Sequence, residues 1–142
     1  MVLPTPAPAD LEDLVAAALA ARERAYAPYS DYPVGAALLV GDGRVFAGCN
    51  IENAAYPATI CAERAAVATA LAAGARDLVA LAVIAAAPEP VPPCGLCRQV
   101  LAELGPQIVV VLANTAGERR LTSAAELLPG AFGPADLRPE RA

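Results

Sequence analysis

A single three-layer α/β/α domain, with a mixed central sheet of about five strands, is the fold this sequence predicts. Three observations carry that reading. Apolar runs of strand length alternate with stretches of helical periodicity, the pattern of a sheet covered by helices. Gly41-Asp42-Gly43 separates two such runs, a hairpin signal that makes part of the sheet antiparallel. At 142 residues the chain has room for one core and too little for two.

The elements follow in order. Residues 1–9 are proline-rich and read as a flexible leader, which leaves 10–142 as the single domain. Asp10 is placed to cap the first helix by accepting from its orphan N–H groups. Leu11, Leu14, Val15, Ala18 and Leu19 then mark the inner face, and Pro28 ends the helix at or before Ala27. Tyr29 to Pro33 is a turn in which Tyr32 reads as a half-buried aromatic anchor. Residues 34–40 and 44–49 form the hairpin, and Gly35 and Gly48 within it point to close backbone approach or a bulge.

Asn50, Glu52 and Asn53 follow the second strand. In an extended chain Asn50 and Glu52 share one side and suit a hydroxylated ligand, although such a segment also reads as a solvated loop. Thr59 is placed to cap a second helix over 60–73, stopped by Gly74. Residues 78–86 are apolar throughout, as in a strand buried on both faces. Four prolines between 87 and 93 stiffen the approach to a third helix, from 94 or 95 to Leu104. A strand over 108–112 comes next. The capping box Ser123-Ala124-Ala125-Glu126 then opens a short helix ended by Pro129-Gly130.

Composition excludes several classes. The chain has no histidine, so it cannot build Ser-His-Asp or Cys-His catalysis, nor any His-ligated metal. Its net charge is -5, and all ten basic residues are arginine without a basic cluster, which disfavours nucleic acid as a partner. No apolar run is long enough to span a membrane, and the N-terminus lacks the pattern of a signal peptide. Four cysteines in such a chain point to a reducing, cytoplasmic setting.

The chemistry concentrates in Cys61-Ala62-Glu63-Arg64 and Pro93-Cys94-Gly95-Leu96-Cys97. Cys94 and Cys97, three apart at a helix start, can hold one ion, and Cys61 opens another helix. A helix N-terminus favours thiolate and so prepares a metal ligand. Three thiolates around Zn²⁺ leave the fourth tetrahedral position open, the mark of a catalytic site. Glu63 is the candidate general acid/base, provided the metal sits off the helix end, since i and i+2 share no face in a helix interior. Other readings exist for each motif alone. Cys49 offers a fourth, closing ligand, Cys94 and Cys97 a redox pair, and Glu63 an ordinary helix-start charge.

Together with A-Y-A-P-Y-S at 25–30, V-G-A-A-L-L at 34–39, G-C-N-I-E-N-A-A-Y at 48–56, P-C-G-L-C-R-Q-V at 93–100 and E-L-L-P-G-A-F at 126–132, these motifs make the chain resemble the small homotetrameric cytidine deaminases. The wider zinc deaminase family carries a His or Cys before x-E and a P-C-x-x-C. The resemblance runs from about Leu11 to Leu137. It implies hydrolytic deamination of cytidine and 2′-deoxycytidine in pyrimidine salvage by a zinc-activated water. Cys61, Cys94 and Cys97 would bind one Zn²⁺ per chain and Glu63 would shuttle protons. Asn50 and Glu52 would hold the ribose, and Ala62 and Tyr32 would contact the nucleoside. Phe132 would reach a neighbouring subunit's site within a homotetramer. Arg64 would bond the metal-binding thiolates and offset their negative charge. Leu96, Tyr32 and Pro92 depart from the usual family pattern. The alternatives are a deaminase for a nucleoside-like antibiotic such as blasticidin S, and a non-catalytic zinc-binding protein.

Overall fold

The inner strands of the sheet carry apolar residues that alternate between its two faces and need cover on both. The structure, a computed structural model, describes residues 5–138 and residue 140. Strands β1 (Val34–Val40), β2 (Val45–Cys49), β3 (Leu78–Ala85), β4 (Val109–Asn114) and β5 (Arg119–Ser123) lie in the order β2-β1-β3-β4-β5. Only the β3–β4 pair is parallel. The mixed five-stranded sheet and its helical layers agree with the sequence expectation.

Helix α1 (Pro8–Arg22) covers one face. It sets Leu14, Val15 and Ala18 against Ala37, Ala82 and Ile84. Helices α2 (Ala62–Ala72) and α3 (Gly95–Leu104) cover the other face, against Ala36, Leu38, Leu81, Val83, Val110 and Leu112. Ala36 and Ala37 thus point to opposite layers, as the period of two requires. Gly35 and Gly48 are sites of close approach, one on each face. A Cβ on Gly35 would stand 1.9 Å from the Ala18 carbonyl oxygen, and one on Gly48 2.5 Å from the Ala66 nitrogen. The turn between β1 and β2 uses the left-handed φ of 91° at Gly43, where no Cβ is present to clash.

Several expectations change. Helix α1 begins at Pro8, and Asp10 sits in its first turn, accepting from the Ala7 N–H at 3.1 Å, so it caps from inside the helix. The same helix stops at Arg22, and Leu19 faces outward while Ala21 is buried in its place. Helix α2 begins at Ala62 with Cys61 as its cap. Thr59 instead accepts from the Asn53 N–H, and Ile60 bridges to Ile51. Strand β5 and the short helix α5 (Pro134–Leu137) have no counterpart in the element-by-element reading. β5 is an exposed, arginine-bearing edge, so it lacks an apolar run. The short helix α4 (Ala124–Leu127) carries the expected capping box. Residues 1–4 of the expected leader lie outside the described residues.

Register decides where the site forms. Gly35 pairs with Cys49 and Val34 with Ala85, which brings the start of β1 and the ends of β2 and β3 to one end of the sheet. The segments that follow β2 and β3 lead from this end into α2 and α3. Both helix N-termini therefore converge there.

Candidate active site

Cys61 and Cys94 are the N-caps of α2 and α3, each with extended backbone angles. Being outside the helical geometry, Cys61 is free to aim at the same point as Glu63 in the first turn. That resolves the i, i+2 problem of a helix interior. The Cys61, Cys94 and Cys97 sulfurs lie within 4.8 Å of one another, and Cys61 and Cys94 are 3.6 Å apart. Tetrahedral zinc with Zn–S bonds of ~2.3 Å needs sulfurs about 3.8 Å apart. The donor set and spacing therefore fit zinc. Cys49, at the end of β2, belongs to no metal-ligating cluster among the described residues.

Glu63 is 6% exposed, and the Cys97 thiol donates to its Oε2 at 3.7 Å. Burial raises its carboxyl above the ordinary range, and the charge of the nearby Cys61 thiolate adds to the rise. The Cys61 thiol is lowered to about 5, chiefly by a hydrogen bond with Cys97, with help from Arg64 and Cys94. Cys97 moves the other way. Its proton is held by the bond to the Cys61 sulfur, by burial and by the Glu63 charge. Without a cation the cluster therefore resists a second ionisation, and a divalent metal relieves that repulsion.

Arg64 donates through Nη2 to the Cys61 sulfur at 3.5 Å and to the Thr59 carbonyl at 3.4 Å. Arg98 ties down the other cysteine segment. Its Nε donates to the Pro93 carbonyl at 2.8 Å and its Nη1 to the Leu127 carbonyl at 2.9 Å. Sequence periodicity gave no sign of that clamp, because both acceptors are backbone carbonyls and any residue type offers one.

A cavity of about 330 Å³ opens above these groups. Cys61, Ala62, Glu63 and Cys94 line it together with Tyr32, Asn50 and Glu52. That volume lies in the range of small-molecule sites. Asn50 is largely buried, its Oδ1 accepting from the Val34 N–H at 2.8 Å and its Nδ2 donating to the Tyr32 carbonyl at 2.9 Å. Ser30, Thr59, Val34, Val83, Val91 and Pro92 also line the cavity, although the sequence singled out none of them as ligand-facing. Phe132 is placed elsewhere. It is 56% exposed, lies beside Glu103 and Leu137, and its carbonyl accepts from Gln99 Nε2 at 2.8 Å.

Known proteins share the sequence and the fold of this chain. The family described as "Cytidine and deoxycytidylate deaminase zinc-binding region" matches residues 8–113. A cytidine deaminase of Sporosarcina psychrophila is 53% identical over 129 residues, covering 90% of this chain and 95% of its own. A solved cytidine deaminase from Burkholderia pseudomallei superimposes with a TM-score of 0.84 at 56% identity, covering 85% of this chain and 98% of that one. Another from Mycobacterium tuberculosis gives 0.77 at 42% identity, covering 87% and 98%. With the family match spanning most of its length and a zinc-compatible thiol cluster inside it, this chain belongs to the cytidine and deoxycytidylate deaminase zinc-binding family.

Proposed function

We infer that this chain hydrolyses cytidine and 2′-deoxycytidine to uridine and 2′-deoxyuridine with release of ammonia. One observation carries the reading: a buried carboxyl beside a three-thiol cluster lies in the same cavity as Asn50 and Glu52. The metal side suits an amine-bearing ring, and the polar side suits a sugar.

Cys61, Cys94 and Cys97 would hold zinc, which when bound acts as a Lewis acid that makes water nucleophilic near neutral pH. Glu63 does the proton work. Its raised pKa lets it accept a proton from the attacking water and release it to cytosine N3. Water adds at C4, and Glu63 passes the second proton to the departing amine. Water and cytidine give uridine and ammonia, and Glu63 returns to its starting state. Ala62, fully buried between the metal ligand and the acid, lines the floor, while Tyr32 borders the ligand space. Arg64 offsets the charge of the thiolates through Cys61.

We further assign Phe132 to the site of a neighbouring copy in a homotetramer. Its exposure and its place outside the cavity lining of its own chain support that role. The four free thiols suit a reducing cytoplasm and a place in pyrimidine salvage. Residues 10–142 act as one domain, to which the first turn of α1 adds Pro8 and Ala9. No helix among the described residues is long and apolar enough to cross a membrane.

The test is ultraviolet loss of cytidine with zinc measured on the same sample, and blasticidin S as the competing substrate. Rapid loss of cytidine with about one zinc per chain is expected. Full zinc without conversion of cytidine would overturn the reading.

A further inference from the structure

Among the cavity residues, Ser30 is bonded directly to Glu52 and, through Tyr32, to Asn50. Glu52 Oε1 accepts from the Tyr29 N–H at 2.9 Å and the Ser30 N–H at 3.1 Å, and its Oε2 accepts the Ser30 hydroxyl proton. The Ser30 oxygen in turn accepts from the Tyr32 N–H at 3.1 Å. The Tyr32 carbonyl takes one Asn50 N–H, so Ser30 connects Glu52 to Asn50 through a single residue. Between Ser30 and Tyr32, Asp31 adopts a left-handed φ of 52°, which an aspartate tolerates better than most residues.

Counting donors and acceptors shows what remains for a ligand. A carboxylate offers about four acceptor positions, and three on Glu52 are taken. The open one is on Oε2, beside the Ser30 hydroxyl. The Asn50 amide has two N–H donors, of which one is taken. Glu52 Oε2 thus keeps one acceptor position and Asn50 Nδ2 one donor, and together they match a single hydroxyl that both donates and accepts.

We propose that Ser30 is a positioning residue for sugar recognition, its hydroxyl holding the Glu52 carboxylate so that one oxygen lone pair stays open to a ligand hydroxyl. The proposal rests on the nucleoside reading above and deepens it. Removing the hydroxyl leaves Oε1 held by the two backbone N–H groups but Oε2 without a partner, with two open acceptors where the sugar presents one donor.

Uridine, the product and so not consumed, is the probe. Its binding to the zinc-loaded protein is measured by calorimetry for wild type, S30A, S30T, E52Q and S30A/E52Q, with 1-methyluracil as the ligand that lacks the sugar. S30A is expected to weaken uridine about tenfold, the loss typical of one hydrogen bond to a charged group. S30T, which keeps the hydroxyl, restores most of that loss. In the E52Q background S30A costs nothing further, because the group it acts through is gone. Binding of 1-methyluracil is unchanged by S30A. A loss that persists in E52Q, or that extends equally to 1-methyluracil, overturns the proposal and makes Ser30 a loop residue only. Wild type that binds uridine yet leaves cytidine intact overturns the deamination reading and leaves the Ser30 result standing. Wild type that binds no uridine overturns both.

Discussion

Gly48 lies so close to the start of α2 that a Cβ there would stand 2.6 Å from the carbonyl oxygen of Ala62. Ala62 separates Cys61 from Glu63, so the spacing of strand and helix sets the height of the metal ligand and the acid together. Gly48→Ala is expected to push α2 outward and to destabilise the fold by about 1–3 kcal/mol, the usual cost of overpacking. Thermal unfolding and zinc content on one sample check this. A variant with unchanged melting and full zinc would show that the layers separate freely.

Glu63→Gln keeps the size of the side chain and removes its proton exchange. Turnover of cytidine is expected to fall by at least about a hundredfold, the lower range for a general acid/base. Zinc should stay bound, because Glu63 is not part of the thiol cluster. Loss of zinc from this variant would assign Glu63 to the metal.

Cysteine variants separate the ligands from the bystander. Cys61→Ala, Cys94→Ala and Cys97→Ala are each expected to lose zinc, and Cys49→Ser to retain it. Metal analysis after exhaustive dialysis reads the difference. Release of zinc from Cys49→Ser would point instead to a closed four-thiol site.

Zinc uptake by the metal-free protein should release protons at pH 7. Cys97 holds its proton there because its pKa is raised, and a thiol must lose it to bind metal. Cys61, lowered to about 5, is already ionised and contributes little. Calorimetric titrations in buffers of different ionisation heat measure the release. Identical heats in all buffers would contradict this charge distribution.

Glu52 gives the acid side of the stability profile a defined sign. The Ser30 hydroxyl and the Tyr29 and Ser30 N–H groups hold its carboxyl below the ordinary value of 4.5. A carboxylate with a lowered folded pKa stabilises the fold above its unfolded pKa, and that contribution is lost as pH falls toward the folded value. Wild type should therefore lose stability below about pH 4.5 more steeply than Glu52→Gln, as acid unfolding followed by circular dichroism will show. Parallel curves would mean that the Ser30 contact does not persist in solution.

The sequence by itself determined the fold class and the chemical groups. Strand-length apolar runs, the Gly41-Asp42-Gly43 turn and the Ser123 capping box are local signals, and each reappears as the expected element. The two cysteine motifs named the three thiols that the fold brings within 4.8 Å. Helix starts were less legible. Asp10 and Thr59 have the chemistry of caps, but α1 begins two residues before one and α2 three residues after the other, because packing sets where a helix leaves the sheet. β5 could not be read, since an exposed edge strand needs no apolar pattern.

Only the tertiary structure decided how distant groups meet. The β1–β2 and β1–β3 registers bring the ends of three strands together, and that alignment sets the two cysteine caps side by side. Tertiary packing also joins Ser30 to Glu52 across 22 positions and Arg98 to Leu127 across 29. Those bonds join groups distant in the chain, and no periodicity along a chain encodes its partner in another segment. Residue type supplied the donors and acceptors, and close packing of α1 and α2 on Gly35 and Gly48 decided which of them touch.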